Sequence, residues 1–259
     1  MSSSGRPDVR VNSDANGVYD ALAEFYDEFE GDRTDQADYL RSLLVEHCPR
    51  ARSLLELACG TGAILAHLEA DYEVVAGVDA SERMLDAASR AVPRAELFRQ
   101  DIREFTLDRD FDAILCVFDS INHLTEFRDW EAVFDRAAAH LAPGGIFLFD
   151  VHTPHRLLEL AAEPAHTKWF GDGHLVLIDV SPGGSRPPGS VATSWQVDVF
   201  EHLPDGLYRR HALSIDEVSF EMSRIESSLQ YRFSQILFYD PQQKGVSKHT
   251  RRLHVVCRK

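Results

Sequence analysis

The sequence predicts an α/β fold, a seven-stranded mixed sheet with helices on both faces and an antiparallel β insertion after the fifth strand. Three observations carry this reading. Short apolar runs over residues 54–57, 74–78 and 111–117 alternate with amphipathic stretches, as strands and covering helices of a parallel sheet do. Two glycines, Gly60 and Gly62, follow the first run, where a buried strand would turn into a helix. Beyond residue 151 the pattern changes to polar–apolar alternation, the signature of half-exposed antiparallel strands.

The elements follow in order. Residues 1–16 read as a flexible tail without the hydrophobic stretch of a signal peptide, and residues 17–259 as one domain. Residues 18–30 place Tyr19, Leu22, Tyr26 and Phe29 on one helical stripe. That helix either packs its aromatics on the core or lids a ligand site. Residues 35–47 form a second amphipathic helix carrying Tyr39, Leu40, Leu43 and Leu44, with Pro49 beyond its end. The first strand, interrupted only by Glu56, leads through the glycines into a helix from Ala63, with Ile64, Leu65 and Leu68 facing inward. Asp79 closes the second strand, and Ala80-Ser81 opens a helix that turns Met84, Leu85 and Ala88 inward. Residues 95–100 are a third strand, followed by Asp101, and residues 111–117 a fourth. The fourth delivers residues 118–124, FDSINHL, to the carboxyl edge where α/β sheets hold ligands. A helix over residues 128–140 and the turn Pro143-Gly144-Gly145 precede the fifth strand, residues 146–151.

Residues 176–180, 193–200 and 207–213 then alternate, and residues 181–190, SPGGSRPPGS, are a loop. Together they make an insertion over residues 165–213 that covers the sheet's carboxyl edge. Ser214 and Glu217 stand at capping-box spacing, which predicts a helix over residues 214–225. Residues 230–239 and 250–257 complete the sheet as a hairpin.

Composition narrows the function. A chain of 259 residues with 44% apolar and 27% charged residues is ordinary for a globular protein, and no apolar run reaches membrane-spanning length. The four cysteines are scattered without a C-x-x-C pair, which predicts buried free thiols in a reducing cytoplasm. A net charge of −15 disfavours nucleic acid as a partner, although residues 244–252 and the Arg258-Lys259 end are local basic patches. A neutral or cationic small-molecule substrate fits better. The oligomeric state is left open.

The glycine turn and its two acids point to a particular ligand. A dinucleotide site needs a third glycine at G-x-G-x-x-G spacing, and that position is Leu65. Glu56 would sit badly beside a pyrophosphate but well beside a cationic, amine-bearing tail. Asp79, ending the second strand, is placed to accept hydrogen bonds from ribose hydroxyls. An adenosine with a cationic amino-acid tail and no phosphate satisfies both acids, and S-adenosyl-L-methionine is that molecule.

Three segments in order, E-x-A-C-G-T-G from Glu56 to Gly62, V-D-A-S-x-x-M-L from Val78 to Leu85, and Gln100-Asp101-Ile102-Arg103, resemble motifs of class I S-adenosylmethionine-dependent methyltransferases, a Rossmann-like family. The resemblance covers Tyr19 to Asp150 well and the rest loosely. It implies cofactor contacts from Tyr19, Tyr26, Glu56, Ala58, Gly60, Gly62, Asp79, Ala80, Met84, Asp101, Ile102 and Phe118. In the family, the lid tyrosines lie near the cofactor's carboxylate and methyl, Ala80 and Met84 near adenine or ribose, and Asp101 at the adenine amine. The plainer alternatives are packing for Met84 and Phe118 and a helix N-cap for Asp101.

Methyl transfer is an in-line displacement, in which positioning supplies ~7–11 kcal/mol in favourable cases. An amine nucleophile must also be neutral, which a nearby base assists. His123 is the leading base, with Tyr19 beside the methyl, and S-I-N-H-L resembles a loop of sugar-amine and glycine-type N-methyltransferases. The alternative for His123 is a hydrogen-bonded structural residue. Asp119, His152 and Trp169 are the candidate substrate contacts, with Trp195 a second aromatic of the insertion. His152 and His155 invite a metal reading, but no carboxylate set assembles around them, so no metal is expected. The expected activity is methylation of a small-molecule amine more than a hydroxyl, of the natural-product sugar-amine kind. An RNA or protein methyltransferase and a non-catalytic binder of the same cofactor are the alternatives.

Overall fold

The computed structural model describes residues 15–184 and 188–259. Residues 1–14 of the expected tail and 185–187 of the expected loop lie outside them. The helix expected over residues 18–30 is instead two, α1 (Ala15–Leu22) and α2 (Tyr26–Glu30), separated by a turn. Phe25, which lies off the expected aromatic stripe, is buried at this bend with Leu22 against the insertion. Tertiary packing outweighs helical propensity there.

Next come α3 (Thr34–His47), β1 (Ser53–Leu57), α4 (Ala63–Leu68), β2 (Val74–Asp79), α5 (Glu82–Ala91) and β3 (Glu96–Arg99). β4 (Phe111–Cys116) is followed by a short 3₁₀ turn, Ser120–His123, then α6 (Phe127–His140) and β5 (Leu141–His152). The expected Pro-Gly-Gly turn is absorbed into β5, with a register shift against β4. After α7 (Pro154–Leu160) come β6 (His166–Phe170), β7 (His174–Pro182), β8 (Ser190–His202) and β9 (Tyr208–Phe220). The chain ends with α8 (Met222–Leu229), β10 (Gln235–Tyr239) and β11 (Arg252–Arg258).

The larger sheet runs β10-β11-β5-β4-β1-β2-β3, with β11 antiparallel to both its neighbours and the others parallel. Strand order reverses between β1 and β4, which opens a crevice at their carboxyl ends. Alternation along β1 shows why both faces need helices. Leu55 and Leu57 join a cluster with Trp130 and Phe134 of α6, whereas Leu54 joins Leu40, Leu44 and Leu65 on the other face. Burial of each such side chain contributes ~1.5–3 kcal/mol.

The second sheet, β6-β7-β8-β9, is antiparallel throughout. Its inner face packs Val176, Ile178, Val197, Val199 and Leu213 against α1, α2 and α7. The helix expected over residues 214–225 is not there. β9 continues through Phe220, paired residue for residue with β8 from Ser190↔Phe220 to His202↔Tyr208, and the helix starts only at Met222. Thirteen residues of ladder outweigh one serine–glutamate spacing, which is a weak signal in a run holding Ile215 and Val218. The four cysteines are free thiols; Cys59, Cys116 and Cys257 are buried, as expected, whereas Cys48 is half-buried. Among the described residues, no helix is long and apolar enough to cross a membrane.

Candidate active site

A cavity of about 330 Å³ opens at the carboxyl ends of the parallel strands. Each strand end contributes in turn: Ala58 and Gly60 after β1, Asp79 and Ala80 after β2, Asp101 and Ile102 after β3, Phe118 and His123 after β4. Met84 of α5 and the lid residues Tyr19 and Tyr26 complete the wall. Ten of the twelve cofactor residues expected from the sequence therefore line one space.

Glu56 and Gly62 are not on that wall. Glu56 is buried on β1, with Oε2 lacking a partner among the described residues. Burial and the neighbouring Asp79 push its carboxyl well above the usual range. Gly62 has φ +77°, and a Cβ there would lie 2.5 Å from Val92 Cγ2. Its glycine lets α4 pack closely on the end of α5. Asp79 fixes the bend itself, accepting from the Gly60 N–H through Oδ2 and the Ser81 N–H through Oδ1, each at 2.8 Å. Burial nevertheless raises its carboxyl pKa above the ordinary value.

Asp101 does not cap a helix; it closes a turn, accepting from the Arg103 N–H at 2.8 Å. The Arg103 guanidinium also binds it and holds its pKa below the ordinary value. Ala58, Phe118 and Asp119 are the non-glycine residues with positive φ among those described. All three stand where β1 and β4 run out, so left-handed backbone is concentrated at this cavity.

Two tethers hold the lid over the space. Ser81 Oγ donates to Asp20 Oδ1 at 2.5 Å, and Thr61 Oγ1 donates to Asp27 Oδ1 at 2.6 Å. Ser81 also caps α5 by accepting from the Met84 N–H. On the inner side of the lid, Tyr19 Oη and His123 Nε2 are 2.8 Å apart. Burial, with Tyr26 and nearby carboxylates, raises the Tyr19 pKa well above normal, so the residue stays a phenol. His123 Nδ1 is buried without a partner among the described residues.

A second cavity, about 240 Å³, adjoins the first and shares Tyr19, Tyr26, Phe118 and His123 with it. Ile178, Trp195 and Val197 of the insertion, with Ile215 and Glu217 farther along β9, roof it. Asp119 and His152, expected to touch substrate, line it, whereas Trp169 lies on the outer strand β6, 64% exposed, and does not. Trp195 is the insertion's aromatic at the cavity. Arg252, expected in a surface basic patch, enters the site instead. Its guanidinium donates to Asp119 Oδ1 at 2.6 Å and Asp150 Oδ2 at 2.9 Å. Burial opposes a charge on Asp119, yet His152 and Arg252 hold its pKa well below the ordinary value. Burial likewise opposes the Arg252 charge, but Asp150 and Asp119 raise its pKa further.

Arg252 Nη2 also lies 3.0 Å from His152 Nε2. A guanidinium only donates, so Nε2 accepts and Nδ1 carries the hydrogen toward Glu217 Oε2, 3.2 Å away. Asp119, His152 and Glu217 place ligand atoms within 4.8 Å of one another, but the Arg252 cation already abuts two of them. Glu217 and Arg252 were not singled out from the sequence as site residues. Glu217 was read as part of a helix cap and Arg252 as part of a basic patch, and neither reading pointed to the cavity.

Residues 54–145 match the methyltransferase domain family. A protein of Geobacillus sp. (strain WCH70) classed as a methyltransferase is 30% identical over 220 residues, 82% of this chain and 87% of that protein. The chain belongs to the methyltransferase family. It is also 40% identical over 133 residues to the dTDP-3-amino-3,6-dideoxy-alpha-D-glucopyranose N,N-dimethyltransferase of Streptomyces fradiae, covering 50% of this chain and 52% of the relative. The chain thus spans about half the length of the curated sugar-amine relatives it matches. The crystal structure of the sugar N-methyltransferase KedS8 from Streptoalloteichus sp. superposes with a TM-score of 0.76 at 24% identity, covering 100% of both chains. This methyltransferase fold therefore extends to the whole architecture, insertion included.

The residues present fit a sulfonium nucleoside at the first cavity. The Asp79 carboxylate lines the glycine bend, and the buried Glu56 oxygen, without a partner among the described residues, stands close to it as a carboxyl that a neighbouring cation would ionise. Arg103, which lines the far end, is held by Asp101. A cofactor diphosphate would meet acids where it needs donors.

Proposed function

We propose that this methyltransferase transfers a methyl group from S-adenosylmethionine to the amine nitrogen of a small acceptor, of the sugar-amine kind its curated relatives methylate. The observation that carries this reading is the junction of two cavities at Tyr19, Tyr26, Phe118 and His123. Asp79 would hold the ribose hydroxyls, Asp101 and Ile102 the adenine edge, and Glu56 would balance the ammonium of the amino-acid tail. Bound there, the cofactor supplies an electrophilic methyl on sulfur.

The chain's own residues supply positioning and the proton path. The lid and insertion exclude water from the acceptor cavity, and Phe118 walls its entrance. Before the nitrogen attacks, a proton of its ammonium form passes to the Tyr19 hydroxyl, which hands its own to His123 Nε2 and leaves the lone pair free. The 2.8 Å contact and the protonated state of Tyr19 support that relay. A roofed cavity of about 240 Å³ supports a small acceptor over a polynucleotide or protein, as does the net charge of −15. We read residues 17–259 as one methyltransferase domain with residues 165–213 as part of the substrate cover, working without a metal. The free thiols support a reducing compartment such as the cytoplasm.

Turnover of radiolabelled methyl donor against amines, phenols and transfer RNA tests this function, with the amines expected to be labelled. His123→Ala should lower kcat about 100-fold and leave cofactor affinity unchanged. Turnover unaltered by that substitution from about pH 6 to about pH 9 would remove His123 from the proton path.

A further inference from the structure

Glu217 is 3% exposed, in a strand that sequence patterning assigned to a helix. Its strand is pinned at the two residues that follow it. Asn122 Nδ2 donates to the Val218 carbonyl at 2.9 Å, and Ser219 Oγ donates to the His152 carbonyl at 2.6 Å. Asn122 also bridges back to β5, accepting from the His152 N–H. The insertion is thereby locked to the turn that carries His123.

Three carboxylates line the acceptor cavity against two guanidinium cations, with His152 between Asp119 and Glu217. Asp119 has Arg252, and Glu30 has Arg33 at 2.7 Å. Among the described residues, the one hydrogen bond to the Glu217 carboxylate is from His152 Nδ1–H to Oε2, which leaves Oε1 for a ligand donor. The other polar groups lining the cavity are Tyr19, Tyr26 and His123. The Glu217 field also reaches the Tyr19 hydroxyl. A buried carboxylate with one oxygen free, walled by Ile178, Trp195 and Ile215, suits a donor on a partly apolar ligand.

We propose that Glu217 is the acceptor's amine anchor, accepting a charge-assisted N–H hydrogen bond from the nucleophilic nitrogen in its ammonium form while His152 holds the carboxylate in place, so that this carboxylate of β9 selects amines over uncharged hydroxyls. This rests on the methyl-transfer reading above. The bond persists as the nitrogen changes from ammonium to neutral amine, because both forms carry N–H donors. The nitrogen's lone pair is left to the methyl once its proton has gone to Tyr19.

The test is calorimetric binding, in the presence of S-adenosylhomocysteine, of dTDP-3-amino-3,6-dideoxy-α-D-glucose and of its 3-hydroxy counterpart. Wild-type protein should bind the amine at least tenfold more tightly. Glu217→Gln should erase that preference, and Glu217→Asp should restore part of it. Both variants should keep S-adenosylhomocysteine affinity within about twofold of wild type. A wild-type protein without preference, or a Glu217→Gln variant that keeps it, overturns the proposal. If cofactor affinity falls in parallel in both variants, Glu217 is structural and the proposal fails equally. Binding is measured without turnover, so failure of the methyl-transfer reading shows separately, as absence of labelled product.

Discussion

Asp119 concentrates several of the site's constraints in one side chain. It sits in left-handed backbone at the end of β4, its N–H donates to Asp150 at 2.6 Å, and its carboxylate receives Arg252. A residue type that tolerates αL through its short polar side chain is well placed there. Its depressed pKa fixes the sign of a pH effect. The ionised carboxylate stabilises the fold above the unfolded value, near pH 4, and that contribution is lost as pH falls through the lower folded value. Asp119→Asn should therefore destabilise the protein by about 2 kcal/mol at neutral pH, because Arg252 loses one buried partner but keeps Asp150. The gap between variant and wild type should narrow below about pH 4, measured by urea melts across pH. A gap independent of pH would show that packing, not charge, is what the substitution removes.

At the scale of elements, the lid is held by side chains rather than by its own helical stability. α1 and α2 have eight and five residues, too short to persist alone. The tethers Asp20–Ser81 and Asp27–Thr61 join them to the helix cap of α5 and the glycine bend of β1. Asp27→Ala should speed release of S-adenosylhomocysteine about tenfold, consistent with one lost charge-assisted hydrogen bond of ~1.5 kcal/mol, while stability to urea changes little. Stopped-flow displacement measures that rate, and an unchanged rate would mean that the lid is held elsewhere.

The same contrast explains what could be read beforehand. The parallel strands and their terminal acids were legible because apolar runs and a glycine bend are local signals. The break between α1 and α2 was not, since it follows from where Phe25 must go against a sheet more than a hundred residues away. β9 was misread because its extended form depends on β8, and Ser214 with Glu217 imitates a helix start. Trp169 and Trp195 looked equivalent in sequence. Only register decides that one faces solvent and the other the cavity.

At the scale of the whole molecule, two sheets divide the work. The parallel sheet opens one cavity at its switch point, and the antiparallel sheet closes a second against the same tyrosine–histidine pair. The central claim is that the crevice is built for a sulfonium nucleoside with carboxylates at the glycine bend, not for a diphosphate. Calorimetric titration with S-adenosylmethionine and with NAD, on wild-type protein and on Asp79→Ala, tests it most directly. The account predicts micromolar binding of S-adenosylmethionine alone, weakened about 100-fold in the variant, in line with two lost charge-assisted hydrogen bonds and the ribose contact. NAD binding as tightly as S-adenosylmethionine, or an Asp79→Ala variant with undiminished affinity, would contradict it.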